Sequence, residues 1–364
     1  MNPSSPLLAL CMIVKNEAEN LPRCLDSVKD VVDEMIIVDT GSTDNTKEIA
    51  SSYGAKVYDF EWVNDFSVAR NYSIDQAKAE WILVLDADEA LETETAKRLR
   101  GDLYNATADA YILLRIEFFS DQMYSNYDFA ALLRLFRNRP GYRYERAYHE
   151  EIDPAIKRHN GKIEYCYDWV ILHYGLMDKR VQGDDLRHER AIRILTQAIA
   201  EKPNDPNLYM FMASEYYNKG NYDKALELVQ QAYEVNRRFG GIHKSLIHMG
   251  YNILGYIFLL QGDSLQAEKF ARLGIDVCKQ NAVSNGMIAS HFYYRHSLGI
   301  QALACLDMAF KEALDGKKGK AISKAQKAID IFTHLKNYSD QPRLSIERLD
   351  KLITQATQLI SMLR

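Results

Sequence analysis

Trp81-Ile82-Leu83-Val84-Leu85 runs directly into Asp86-Ala87-Asp88-Glu89. A short apolar run between polar neighbours predicts a strand buried on both faces. Carboxylates at the end of such a strand are costly unless something cationic meets them. One reading is a strand that ends in a solvated acidic turn. The other is a strand whose carboxyl end opens onto a divalent cation, with Asp86 and Asp88 pointing at it. Mg²⁺ and Mn²⁺ take oxygen ligands, commonly one or two carboxylates together with substrate phosphates. The rest of the chain decides between them.

Upstream, residues 7–14 are apolar and strand-like and stop at Lys15-Asn16-Glu17. Leu21, Leu25 and Val28 then fall at helical spacing. Residues 35–38 predict a second buried strand, closed by Asp39-Thr40-Gly41-Ser42-Thr43-Asp44. Gly41 permits a tight turn there, and Ser42, Thr43 or Asp44 can cap a helix starting near Asn45. Residues 55–58 predict a third strand and 65–77 a helix. Strand and helix alternate, so the sheet is parallel and covered on both faces. Ligands of such sheets bind beyond the carboxyl ends of the strands. Asn16 and Glu17, Asp39, and Asp86 with Asp88 all stand there. No Gly-x-Gly-x-x-Gly and no Gly-x-x-x-x-Gly-Lys-Ser/Thr follows the first strand, which weakens dinucleotide-oxidoreductase and P-loop readings.

Ile13-Val14-Lys15-Asn16-Glu17, Ile37-Val38-Asp39-Thr40-Gly41-Ser42-Thr43-Asp44 and Leu85-Asp86-Ala87-Asp88-Glu89, in this order, resemble the nucleotide-sugar domain of family-2 glycosyltransferases with the GT-A fold. Asp65-Phe66-Ser67-Val68-Ala69-Arg70-Asn71 is similar to one branch of that family, which includes lipopolysaccharide-core glucosyltransferases and sublancin-type peptide S-glycosyltransferases. The resemblance implies a Rossmann-like α/β domain with a mixed sheet. It implies that Asp39 meets a base, a uracil ring nitrogen, because an imide N–H needs an acceptor. Asp86 would lie near the ribose and the metal, and Asp88 would ligate the Mn²⁺ or Mg²⁺ that bridges the diphosphate of a UDP-sugar. Arg70 would lie near base and diphosphate. Val14, Asn16, Glu17 and Ala87 come with the same motifs as donor-site positions. Glu17 also reads as a helix first-turn glutamate.

Residues 110–119 predict another strand, followed by Leu132-Leu133-Arg134-Leu135-Phe136-Arg137. Arg134 and Arg137 read equally as phosphate or acceptor contacts and as rim charges. The His149-Glu150-Glu151 segment is similar to the acceptor-side loop of the peptide S-glycosyltransferases. An inverting transfer needs a carboxylate or imidazole near the incoming nucleophile. Glu150 is the first choice, with Glu151 and His149 behind it. A last strand, 167–175, carries His173, either a third metal contact together with Asp86 and Asp88 or a phosphate contact.

After Gly183 the composition changes. Tyr209, Met212, Ala213, Tyr216, Gly220, Tyr222, Ala225 and Ala232 follow the tetratricopeptide pattern. Tyr251, Leu254, Gly255, Phe258, Gly262, Ala267 and Gly274 follow it again, with insertions near 237–243 and 281–287 and a closing helix over 344–363. Residues 1–180 are thus expected to form the catalytic domain and 181–364 an all-α helical repeat domain. The 364 residues suffice for both. A net charge of −5 without a basic stripe argues against nucleic acid. No apolar run approaches a membrane span, residues 1–14 lack signal-peptide features, and five scattered cysteines fit a reducing compartment, so a cytoplasmic protein is expected.

The leading function is a metal-dependent inverting transfer of a hexose, glucose or an N-acetylhexosamine, from a UDP-sugar to a protein or peptide presented by the repeats. Transfer to a cell-envelope glycan, a non-catalytic repeat scaffold with a nucleotide-sugar-binding domain, and a nucleotidyltransferase are the alternatives. Whether the chain forms a homo-oligomer stays open at this level.

Overall fold

The computed structural model describes residues 6–118, 127–175, 185–285, 288–336 and 346–364. The chain divides into two compact units, Met1–Ile194 and Leu195–Arg364. The boundary expected at 180/181 and the composition change after Gly183 lie outside the described residues.

In the first unit, β1 (Leu8–Val14), β2 (Glu34–Asp39), β3 (Lys56–Asp59) and β4 (Trp81–Val84) are parallel. They are linked by α1 (Leu21–Val28), α2 (Thr46–Ser52) and α3 (Phe66–Gln76). Buried side chains alternate between the two faces. Leu8, Leu10, Met12, Trp81, Leu83 and Leu85 enter one core, and Ala9, Cys11, Ile82 and Val84 the other. A strand buried on both faces reads as one unbroken apolar run, which is what these segments show.

The remaining strands are β5 (Glu89–Leu91), β6 (Ala110–Phe118), β7 (Tyr127–Arg137) and β8 (Ile163–His173), with α4 (Thr93–Tyr104) and α5 (Asp153–Arg158) between them. The eight strands run in the order β3-β2-β1-β4-β7-β6-β8-β5. The sheet is mixed: β7 lies antiparallel between β4 and β6, and β5 is antiparallel to β8. Two registers position the site. His173 of β8 sits opposite Glu89 of β5 on one side and Glu117 of β6 on the other. Three titratable residues therefore cross three adjacent strands in one row.

The division between units falls within α6 (Asp185–Glu201). The second unit continues with α7 (Pro206–Asn218), α8 (Tyr222–Phe239), α9 (Lys244–Leu260), α10 (Ser264–Asn285), α11 (Ile288–Leu314), α12 (Lys318–Lys336) and α13 (Ile346–Leu363). Successive helices pack on one another. The α7–α8, α9–α10 and α11–α12 corners turn at Gly220, Gly262 and Gly316, all at φ between 73° and 77°, the left-handed ending that glycine allows without a Cβ clash. Small residues at the seams, such as Ala267, Ala271, Ala302 and Ala304, are fully buried and let backbones approach. The expected insertion at 237–243 is the end of α8 and a loop through Gly240 and Gly241 into His243, which caps α9. Met287 of the second insertion and Leu344 of the closing helix lie outside the described residues. Among the described residues no helix is long and apolar enough to cross a membrane.

Candidate functional site

The loops after β1 and β2 are laced together. Asn16, at φ 57°, accepts from Thr43 N at 2.7 Å, and its own N–H donates to Ser42 Oγ at 2.8 Å. Glu17 N donates to Thr46 Oγ1 and Ala18 N to Asp44 Oδ2. Thr40 donates through N and Oγ1 to the Val14 carbonyl. Most of the polar residues in these two motifs thus fix one loop against the other, and Asp44 Oδ1 accepts from Thr46 N at the start of α2. Asp39 differs. Its Oδ1 accepts from Gly41 N and Ser42 N at 2.9 and 2.8 Å, while Oδ2 is buried with no partner among the described residues. An unsatisfied buried carboxylate oxygen is costly and asks for an external donor.

Beyond β4 the side chains form a continuous chain of charges. Arg70 of α3 donates from Nε to Glu150 Oε1 (2.5 Å) and from Nη2 to Asp86 Oδ1 (2.7 Å). Arg134 of β7 donates from Nη2 to Asp86 Oδ2 (2.6 Å) and to Glu89 Oε1 (3.0 Å). Arg115 of β6 donates to Glu89 Oε1 (2.8 Å) and Glu117 Oε1 (2.6 Å). Glu117 Oε2 faces His173 Nδ1 at 2.6 Å, and His173 Nε2 faces Asp88 Oδ2 at 3.3 Å. Signs alternate along the row, which offsets the cost of burying the charges. Glu89 is fully buried, and its Oε2 also accepts the Asp86 N–H at 2.9 Å.

The electrostatics follow from these partners. Burial alone would raise the Asp86 carboxyl, but Arg134 and Arg70 outweigh it and hold it well below the usual range. Arg70 and Arg134 are held protonated beyond the usual guanidinium range, because Asp86 with Glu150 or Glu89 outweighs desolvation. Burial also opposes a charge on His173, yet its hydrogen bonds to Asp88 and Glu117 raise it to about 9. Tyr144, buried beside both arginines, is pushed up to about 12 chiefly by burial. Arg70 Nη1, Arg134 Nε and the Tyr144 hydroxyl are buried and unpartnered among the described residues.

Glu150, Asp86, Glu89, Glu117 and Asp88 bring five negative charges against three from Arg70, Arg134 and Arg115. The surplus is one negative charge with the His173 ring protonated and two with it neutral, and the arginines are spent on the other members, so the deficit of cation lies at Asp88 and His173. That donor set fits a hard divalent cation. With bonds of roughly 2.1 Å, neighbouring ligands of an octahedral ion sit about 3 Å apart, close to the 3.3 Å observed. Among the described residues no three His, Cys, Asp or Glu side chains surround one point, so substrate oxygens and water would fill the remaining positions.

Gly175 closes this corner. A Cβ there would lie 2.8 Å from His173 Nε2 and closer still to Asp88 Oδ2. Gly175→Ala is expected to weaken Mn²⁺ binding at least tenfold, the scale of a disturbed ligand shell, with little change in thermal midpoint. Unchanged Mn²⁺ affinity in an equilibrium dialysis would contradict this.

The structure brings Arg70, Asp86, Asp88, Arg134, Glu150 and His173 together. Asp86 is engaged by two guanidiniums on both oxygens, unlike Asp88. Glu151 pairs with Arg146 at 2.9 Å and bridges Glu145 through the backbone, and His149 is exposed against Tyr148. Val14 and Ala87 are buried in the core. Arg137 pairs with Glu80, lies over the Trp81 ring and sits opposite Trp81 in register, at the start of β4, which is the rim-charge alternative rather than a place beside Asp86. Three residues at about 3.3 Å each separate it from Arg134 by roughly 10 Å. Glu89, Arg115 and Glu117 also belong to this row, although no sequence motif points to them as site residues. Arg115-Ile116-Glu117 did hold a signal, two opposite charges at strand spacing inside an apolar run.

Residues 9–160 match the family model described as Glycosyl transferase family 2, and residues 185–238 match the one described as Tetratricopeptide repeat. A TPR repeat-containing protein of Synechococcus elongatus is 39% identical over 246 residues, 66% of this chain and 60% of that one. The glycosyltransferase SunS of Bacillus subtilis is 26% identical over 243 residues, 65% of this chain and 55% of that one. An uncharacterized glycosyltransferase of Rickettsia bellii is 37% identical over 106 residues, covering 29% and 36%. The chain spans no more than 60% of the length of these relatives. The strand-end motifs, Asp88 and the charged row from Glu150 through Arg70, Asp86, Arg134 and Glu89 to Glu117 fall inside the first match, while β8 with His173 lies just beyond it, and so the chain carries a glycosyl transferase family 2 domain over residues 9–160, followed by a tetratricopeptide repeat.

Proposed function

We propose that this chain is a metal-dependent inverting glycosyltransferase that moves a hexose from a UDP-sugar to a protein or peptide acceptor. The observation that supports it best is the Asp88–His173 pair, an anionic corner at the carboxyl end of a parallel strand, with Asp88 inside the residues that match the glycosyl transferase family 2 model and His173 on the strand that follows them. Asp88 and His173 would hold the Mn²⁺ or Mg²⁺, with Asp86 as the anchor that Arg70 and Arg134 fix beside it. Bound there, the cation would supply positive charge for the diphosphate leaving group. Arg70 and Arg134 keep free N–H groups, Nη1 and Nε, for anionic oxygens. Glu150 would accept the acceptor's proton; it lies one guanidinium away from Asp86 and would exchange its Arg70 contact to do so. On the α7–α8 hairpin, Tyr209, Glu227 and Glu234 line a cleft that supports the reading of a peptide-presenting repeat.

Asp39 Oδ2 would accept the uracil imide N–H. Asp39→Asn keeps one oxygen for Gly41 N and Ser42 N and turns the amide donor toward the base. Two facing donors should weaken UDP binding about 100-fold, the scale of an unpaired buried polar group. CDP, whose ring nitrogen accepts, should lose far less. Calorimetric titration of both nucleotides checks this; equal losses for the two would exclude Asp39 from base recognition.

A further inference from the structure

Resting on the metal reading above, we propose that Glu117 is a positioning residue that sets the tautomer of His173, so that Nε2 presents its lone pair to the cation beside Asp88. Glu117 is 8% exposed and has two polar partner residues, one per oxygen. Oε1 accepts from Arg115 Nε at 2.6 Å, and Arg115 is in turn held by Glu89. Oε2 faces His173 Nδ1 at 2.6 Å. A carboxylate only accepts, so the proton between them belongs to Nδ1. Nε2 faces the second carboxylate, Asp88; a cation bound beside Asp88 takes the place of a proton on Nε2, and with the remaining ring proton committed to Glu117 the lone pair stands on Nε2. The register repeats the arrangement in the backbone, since Glu117 and His173 are direct neighbours across β6 and β8. Arg115 cannot give up its protons and accepts nothing. It thereby dictates which oxygen of residue 117 is available to the histidine.

This makes the conservative substitution the more harmful one. In Glu117→Gln the amide oxygen must turn to Arg115, because an amide N–H₂ against a guanidinium sets donor against donor. The N–H₂ group then faces His173 Nδ1, which becomes an acceptor. The ring proton moves to Nε2, and the lone pair is withdrawn from the metal corner. In Glu117→Ala nothing dictates the tautomer, and Nε2 is bare for part of the population. A residue that merely filled space would give the reverse order, with glutamine close to wild type.

The test is Mn²⁺ affinity at fixed pH, read from the loss of the free-ion electron paramagnetic resonance signal, for wild type, Glu117→Gln, Glu117→Ala and Asp88→Ala. Urea midpoints of all four are measured alongside. Glu117→Gln should bind 10- to 100-fold more weakly than wild type, and more weakly than Glu117→Ala, although its urea midpoint is the higher of the two. Glutamine binding Mn²⁺ as well as wild type, or better than alanine does, overturns the proposal while leaving the metal reading in place. Wild type binding no more Mn²⁺ than Asp88→Ala overturns both. If Glu117→Ala does not fold, glutamine against wild type decides: a loss of less than threefold at an unchanged urea midpoint overturns the tautomer role.

Discussion

Asp88→Ala is expected to abolish saturable Mn²⁺ binding and to lower hexose transfer from UDP-sugar at least a thousandfold, about 4 kcal/mol of transition-state stabilisation. Its fold should survive. Asp88 is not one of the carboxylates held by arginine: its side chain is partly exposed and faces His173 at 3.3 Å. Removing it leaves no guanidinium unpaired, so the urea midpoint should move little. Activity and stability therefore separate in this variant. Turnover within tenfold of wild type, or full turnover in excess chelator, would remove the metal from the mechanism.

Glu89→Ala should behave in the opposite way. Glu89 is fully buried and serves Arg115, Arg134 and the Asp86 N–H at once. Truncating it leaves the buried Arg134 and the partly buried Arg115 each short of a partner, and breaking a buried pair from one side costs about 3–5 kcal/mol. Urea denaturation of the first unit's transition should register that loss. A change below about 1 kcal/mol would mean that Arg134 and Arg115 are satisfied by Asp86 and Glu117 alone.

The contrast between these neighbours shows what the sequence could and could not disclose. The strands were legible, because a parallel sheet buried on both faces writes itself as unbroken apolar runs, as in residues 81–85. The carboxyl-end rule then picked out Asp39, Asp86 and Asp88. Glu89 looked like one more acid of the same turn. Only the antiparallel pairing of β5 with β8 and the insertion of β7 beside β4 show that it faces inward toward two arginines. Arg134 and Arg137 looked equivalent, since one-dimensional spacing does not say where a strand runs relative to a site that begins 48 residues earlier. The row Glu117, His173 and Glu89 was hidden for the same reason: its members come from three strands whose adjacency is set by topology. The loop motifs were legible as motifs but not as parts. Asn16, Ser42, Thr43 and Asp44 mainly tie two loops together, and what distinguishes Asp39 is one oxygen left over after that task. In the second unit, glycine and alanine spacing gave the helical hairpins directly, because close helix packing requires small residues at fixed positions.

The most direct measurement of the central claim is calorimetric titration of UDP into the wild-type chain with Mn²⁺, the same chain with chelator, and Asp88→Ala with Mn²⁺. Mn²⁺ should tighten UDP binding to wild type at least tenfold, and the other two titrations should coincide at the weaker value. Equal UDP affinity in all three, or no UDP binding in any, would contradict a metal-bridged UDP site at Asp88 and His173.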